Sequence, residues 1–97
     1  MSASSTADVA AKIERFVREH FRVGQQDTRF SRQAALFDLG YVDSVGVIEL
    51  LAFVEQQFRV RIPDDTLLSD EFTTIDGMAA VIGRIANDQA TRTAQLP

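Results

Sequence analysis

The chain has 97 residues, 45% hydrophobic and 25% charged, a length and balance that suit one compact core and exclude two independent ones. Its net charge of −4 is polarised: nine acidic residues lie between Leu36 and Asp76 against only Arg59 and Arg61, which argues against nucleic acid and for a basic protein partner. The longest aliphatic and aromatic run, Leu50 to Val54, is far below the ~20 residues that cross a bilayer, and MSASSTADVA has no secretory signature, so a cytoplasmic protein without membrane contact is expected. Cysteine is absent, excluding disulfides, thiolate metal ligands and a cysteine nucleophile; any thiol chemistry must use sulfur from elsewhere.

Val9, Ile13, Phe16, Val17 and Phe21 recur at helical spacing, with Ser5, Thr6 and Asp8 as start signals and Gly24 as a stop, which predicts a first helix. Residues 25–42 lack a sustained period and predict a long loop whose Phe30, Leu36, Phe37 and Leu39 plug the core, with one turn of helix near Ser31 to Ala35. Loops of such length in compact domains often have a function. From Ser44 to Phe58, Val47, Leu50, Leu51, Val54 and Phe58 form the inward stripe of a second helix, ended before Pro63. Leu67, Leu68 and Phe72 suit a short third helix, and Thr74 caps a last one carrying Met78, Ala79, Ile82, Ile85 and Ala86. The fold class is therefore all-α: a small four-helix bundle of three long helices and one short. It forms a single domain over 1–97 with its core at about 6–87 and frayed tails.

An inventory of reactive residues gives little catalysis. The single histidine, His20, has no serine or cysteine partner in sequence and reads as a helix C-terminal residue; no catalytic residue is assigned. Asp64, Asp65, Asp70 and Glu71 break the ligand alternation of a calcium loop at Leu68, so no metal is expected. What remains is Leu36-Phe37-Asp38-Leu39-Gly40-Tyr41-Val42-Asp43-Ser44-Val45, which puts a serine hydroxyl at a helix start. Unpaired first-turn amides and the helix dipole favour a phosphoester there. Asp43, which would repel that anion, reads as a cap or as a contact for a modifying enzyme. Local physics leaves a second reading open, in which Asp43 and Ser44 simply cap the helix without the glutamate or glutamine of a capping box.

At these residues the chain resembles the phosphopantetheine-carrying acyl and peptidyl carrier protein family. The match rests on Leu39-Gly40 before Asp43-Ser44, on Ile48 to Glu55 ending at Phe58, on Val60-Arg61-Ile62-Pro63-Asp64, and on Phe72-Thr73-Thr74-Ile75 before the last helix. The resemblance implies that Ser44 receives 4′-phosphopantetheine from coenzyme A through a phosphopantetheinyl transferase that recognises Asp43. The arm's thiol then carries a thioester, which fits a chain that has no cysteine of its own. It also implies that Val45, Ile48, Glu49 and Ala52 face partner enzymes, against the alternative that Val45 and Ile48 are buried rim residues.

Two residues, Tyr41 and Val42, separate Gly40 from Asp43 where fatty-acid carriers usually have one. That spacing is more similar to discrete D-alanyl, aminoacyl or methoxymalonyl-type carriers, and Gly46, Gln56 and Gln57 stand where fatty-acid carriers often have acids. Gly46 in the first helical turn costs about 1 kcal/mol relative to alanine, which close approach of a partner or of the arm would explain. The expectation is a freestanding, monomeric carrier, itself no enzyme, in a specialised polyketide, nonribosomal or aminoacyl-transfer pathway. A loading ligase or acyltransferase would charge it, and downstream pathway enzymes would unload it. The alternatives are an unmodified helical adaptor with Ser44 as helix cap and, more remotely, a small hydrolase using Ser44.

Overall fold

The computed structural model describes residues 6–95, with side chains through Asn87; Ser5 and the tail expected at 1–5 lie outside the described residues, and of the tail expected at 88–97 only the backbone of 88–95 is described. The chain forms α1 (Thr6–His20), α2 (Ser44–Phe58), a short α3 (Asp64–Leu67), a 3₁₀ turn (Asp70–Thr73) and α4 (Ile75–Gln95), with no strand among the described residues. This is the expected all-α bundle with a long loop between the first two helices. No helix among the described residues is long and apolar enough to cross a membrane.

In α1, Val9, Ala10, Ile13 and Val17 turn one buried stripe inward, and the helix lies directly against α4. Its stop comes earlier than Gly24. Arg22 takes the left-handed conformation (φ 54°), Phe21 N–H donates to the Val17 carbonyl, and Val23 N–H reaches back to that of Arg18 at 3.0 Å. A non-glycine residue in that conformation costs about 1 kcal/mol, offset here by the two carbonyls it satisfies.

The loop from 21 to 43 contains no helical turn near Ser31 to Ala35. A hydrogen-bonded turn stands there instead, closed by Ala34 N–H to the Ser31 carbonyl and by Gln33 N–H to Ser31 Oγ. Of the four expected core plugs, Phe30 and Leu36 are buried and Phe37 half-buried. Leu39, however, is 38% exposed. The loop is fixed along its whole length: Glu14 joins Arg18 to Arg32, Tyr41 Oη donates to Asp27 Oδ2 at 2.7 Å, and the Phe30 ring stands edge-on to Tyr41. Leu36 N–H donates to the Thr73 carbonyl and Asp76 N–H to that of Arg32, which ties the loop to the start of α4.

After α2, Arg59 turns left-handed (φ 54°), and Glu55 Oε2 accepts the Ile62 N–H that Pro63 leaves at the loop edge. The short helix expected to carry Leu67, Leu68 and Phe72 is split: Leu67 is half-buried on α3, Phe72 is fully buried on the 3₁₀ turn, and Leu68 between them is 85% exposed. Thr74 caps α4 as expected, its Oγ1 accepting from Gly77 N–H at 2.9 Å. The helix continues to Gln95, past Asn87 where the sequence turns polar. Gly77 is required by contact, since a Cβ there would fall on the Glu71 carbonyl of the 3₁₀ turn, which Arg84 also grips through both Glu71 oxygens.

Replacing Gly77 by alanine should therefore destabilise the fold by about 3 kcal/mol in urea titration. Gly83→Ala, whose nearest new neighbour is Thr6 Oγ1 at 3.9 Å, should be neutral or stabilising by up to about 1 kcal/mol. Three carboxyls sit below their ordinary range: Glu14 through hydrogen bonds from Arg32 and then Arg18, Glu71 through Arg84, and Asp27 through the Tyr41 hydroxyl and then the Arg29 amide. Each binds its proton less readily folded than unfolded, so their contribution is complete above the ordinary carboxylate range near ~4 and is lost as the pH falls through the depressed folded values. Urea midpoints should fall steeply below about pH 4, and less steeply in a Glu14→Gln variant.

Candidate functional site

The approach to α2 is a chain of local constraints. Gly40 has φ 83°, a conformation that side chains rarely adopt, and lets the backbone turn so that Tyr41 and Val42 both donate to the Leu36 carbonyl. Val42 is then buried, which fixes the next residue at the surface. Asp43 is extended (φ −101°, ψ −174°), its Oδ1 accepts from Gly46 N–H at 2.7 Å, and its carbonyl accepts the Val47 amide to begin the helix.

Asp43 is thus the cap, and this corrects the alternative that gave the capping role to Ser44. Ser44 is the first helical residue; its side chain is exposed and its hydroxyl makes no hydrogen bond among the described residues. The amides of Ser44 and Val45 likewise have no acceptor among the described residues. An exposed hydroxyl beside two free first-turn amides suits a phosphoester, whose oxygens those donors and the helix dipole favour. No described base hydrogen-bonds to Ser44.

The predicted partner-facing residues lie together. Val45, Ile48, Glu49 and Ala52 are all exposed and fall on one helical face running from Ser44, while Leu50 and Val54 are buried on the opposite face and Phe58 is half-buried. Val45 and Ile48 are each 66% exposed, which overturns their reading as buried rim residues. Glu49 is engaged within the chain: its Oε1 lies 2.8 Å from His20 Nε2, and the imidazole stacks on Phe16.

Two contacts at this site escaped the sequence reading. His20 and Glu49 are 29 residues apart and share no spacing signal. Gly46 did carry a signal, but its cause is internal: a Cβ there would lie 2.6 Å from Cε1 of Phe21. A side chain at position 46 would therefore require the half-buried Phe21 ring to shift. The acidic stretch at Asp64, Asp65, Asp70 and Glu71 is divided among local roles, with Asp65 accepting from Thr66 N–H and Glu71 held by Arg84.

Comparison with known proteins gives the same outline. The chain is similar to the D-alanyl carrier protein of Streptococcus sanguinis (strain SK36), 26% identical over 80 residues that cover 82% of this chain and 98% of the relative. It is also similar to that of Streptococcus gordonii (strain Challis), 28% identical with the same coverage. The phosphopantetheine attachment site family matches residues 11–82, from within α1 to within α4. The chain therefore belongs to the phosphopantetheine attachment site family and is a carrier protein whose prosthetic group is covalent 4′-phosphopantetheine.

Proposed function

We propose that Ser44 is the attachment residue and that the chain is a freestanding carrier of an acyl or aminoacyl group, acted on by other enzymes rather than catalytic itself. The observation that carries this reading is the Ser44 hydroxyl, exposed and unbonded at the first position of α2 because Asp43 performs the capping.

In this reading a phosphopantetheinyl transferase recognises Asp43 and the exposed Val45, Ile48, Glu49 and Ala52 face, and transfers the arm from coenzyme A to Ser44. The bound group supplies a thiol that the polypeptide lacks, and on it the cargo rides as a thioester. The chain's own work is positional: α2 holds the serine at a surface step, the cap keeps the first turn formed, and the apolar pair Val45 and Ile48 offers partner enzymes a desolvated footing. The names of the relatives favour an aminoacyl cargo, loaded by an adenylating ligase, over an extender unit loaded by an acyltransferase; the two residues between Gly40 and Asp43 agree with either.

Incubation with coenzyme A and a broad-specificity transferase should add one phosphopantetheine to the intact mass of the natural sequence and none to Ser44→Ala. Equal addition to both would sink the assignment of Ser44. The same variant should keep its stability within about 0.5 kcal/mol, because the hydroxyl holds nothing in the fold. Asp43→Ala should lose about 1 kcal/mol with the cap. Ile48→Asp should fold normally yet lower the kcat/KM of modification roughly tenfold, through a buried charge at the docking face.

A further inference from the structure

The outer face of α1 has features that a carrier face on α2 leaves unused. Residues 12–32 hold six cations against Glu14, Glu19 and Asp27, a net of +3, whereas residues 36–76 hold nine carboxylates against two arginines, a net of −7. Within the basic region Glu14 sits between two arginines, accepting from Arg18 Nε at 2.9 Å and from Arg32 Nε at 2.8 Å. Each guanidinium thereby engages Glu14 through Nε, and its two Nη groups find no acceptor among the described residues. Arg15 is exposed and makes no hydrogen bond or ion pair among the described residues.

These three arginines line an open cleft of about 460 Å³. Arg15 and Glu19 also form the wall of a second groove, of about 290 Å³, with Lys12 at its edge. That groove holds the face-to-face stack of Phe16 on Phe53, whose centroids are 4.1 Å apart at 13°. One ridge of α1 thus separates a cleft in which three guanidiniums outnumber the carboxylates of Glu14 and Glu19 from a groove that holds the two rings.

We propose that this face is a second docking surface, which takes an acidic protein segment. Such a segment would lay an apolar side chain on the Phe16–Phe53 rings and set its carboxylates against Arg15, Arg18 and Arg32. A free small anion would use the guanidiniums alone, an interaction worth little in water, and would leave the aromatic groove empty. An anionic bilayer would call for protruding apolar side chains, but Phe16 and Phe53 are half-buried, and none of the exposed large hydrophobics Leu39, Val45, Ile48 and Leu68 lines either groove. A polypeptide with both carboxylates and an apolar side chain fits the two grooves together. The opposite charge of the two regions means that an acidic partner on α1 does not compete with a basic partner at α2, so the carrier can be held by one protein while Ser44 is offered to another.

The test uses the full chain without its prosthetic group, labelled with ¹⁵N and titrated with a synthetic peptide of glutamates flanking one phenylalanine. Expected are saturable amide shifts confined to α1, the adjoining loop and residues 53–57, weakened by added salt. Arg15→Glu, which touches no partner in the fold, should weaken binding about fivefold or more, and alanine in place of the peptide's phenylalanine should weaken it as well. Absence of saturation, shifts centred on residues 44–52, or equal binding by Arg15→Glu would overturn the proposal. So would displacement of the peptide by an equal concentration of inorganic phosphate, or preferential binding to phosphatidylglycerol vesicles. Ser44→Ala should bind the peptide as the natural sequence does, so failure of the Ser44 assignment and failure of this surface are separately visible.

Discussion

The ring of Phe21 packs on Gly46 in the first turn of α2, its Cε1 lying 2.6 Å from where a Cβ at position 46 would stand. It brings the end of α1 against the start of α2, although the loop between them is long. Glycine at position 46 accepts a lower helix propensity and leaves the Phe21 ring where it stands. The Gly46 amide donates to Asp43 Oδ1, and with the cap made by Asp43 the Ser44 hydroxyl has no hydrogen bond among the described residues.

The same end of the molecule is braced laterally by rings and charge. Phe16 stacks on both Phe53 and His20, and His20 reaches Glu49, so about one turn of α1 is joined to one turn of α2 by side chains of different kinds. Beneath them Ile13, Val17, Leu50, Val54, Phe72 and Met78 form a core without buried polar side chains among the described residues. Such a core resists deformation, which suits a protein whose helix start must keep its shape for a succession of enzymes.

The long loop is an ordered part of this support. Glu14 clamps Arg18 and Arg32, the Arg18 guanidinium lies 4.6 Å above the Phe30 ring, and Tyr41 is fixed through Asp27. These interactions hold the segment that delivers Asp43, and they also array the arginines of the α1 face. Loop order and surface charge have one origin in the Glu14 clamp. The absence of cysteine is consistent with this economy, because the reactive sulfur of a phosphopantetheine carrier belongs to its prosthetic group.

The sequence by itself determined what depends on neighbours along the chain. Helical periodicity located α1, α2 and α4, Thr74 announced its cap, and the order of Leu39-Gly40, Asp43-Ser44 and Ile62-Pro63 pointed to the carrier family. Tertiary structure alone decided what depends on approach between distant segments. It placed Leu39 and Leu68 outside the core, turned α1 at Arg22 instead of Gly24, and paired His20 with Glu49. Periodicity and capping are energies of residues within a few positions of each other, and a sequence displays them directly. The contact of Phe21 with Gly46 joins residues on different helices, so its distance is set by how all the other side chains pack.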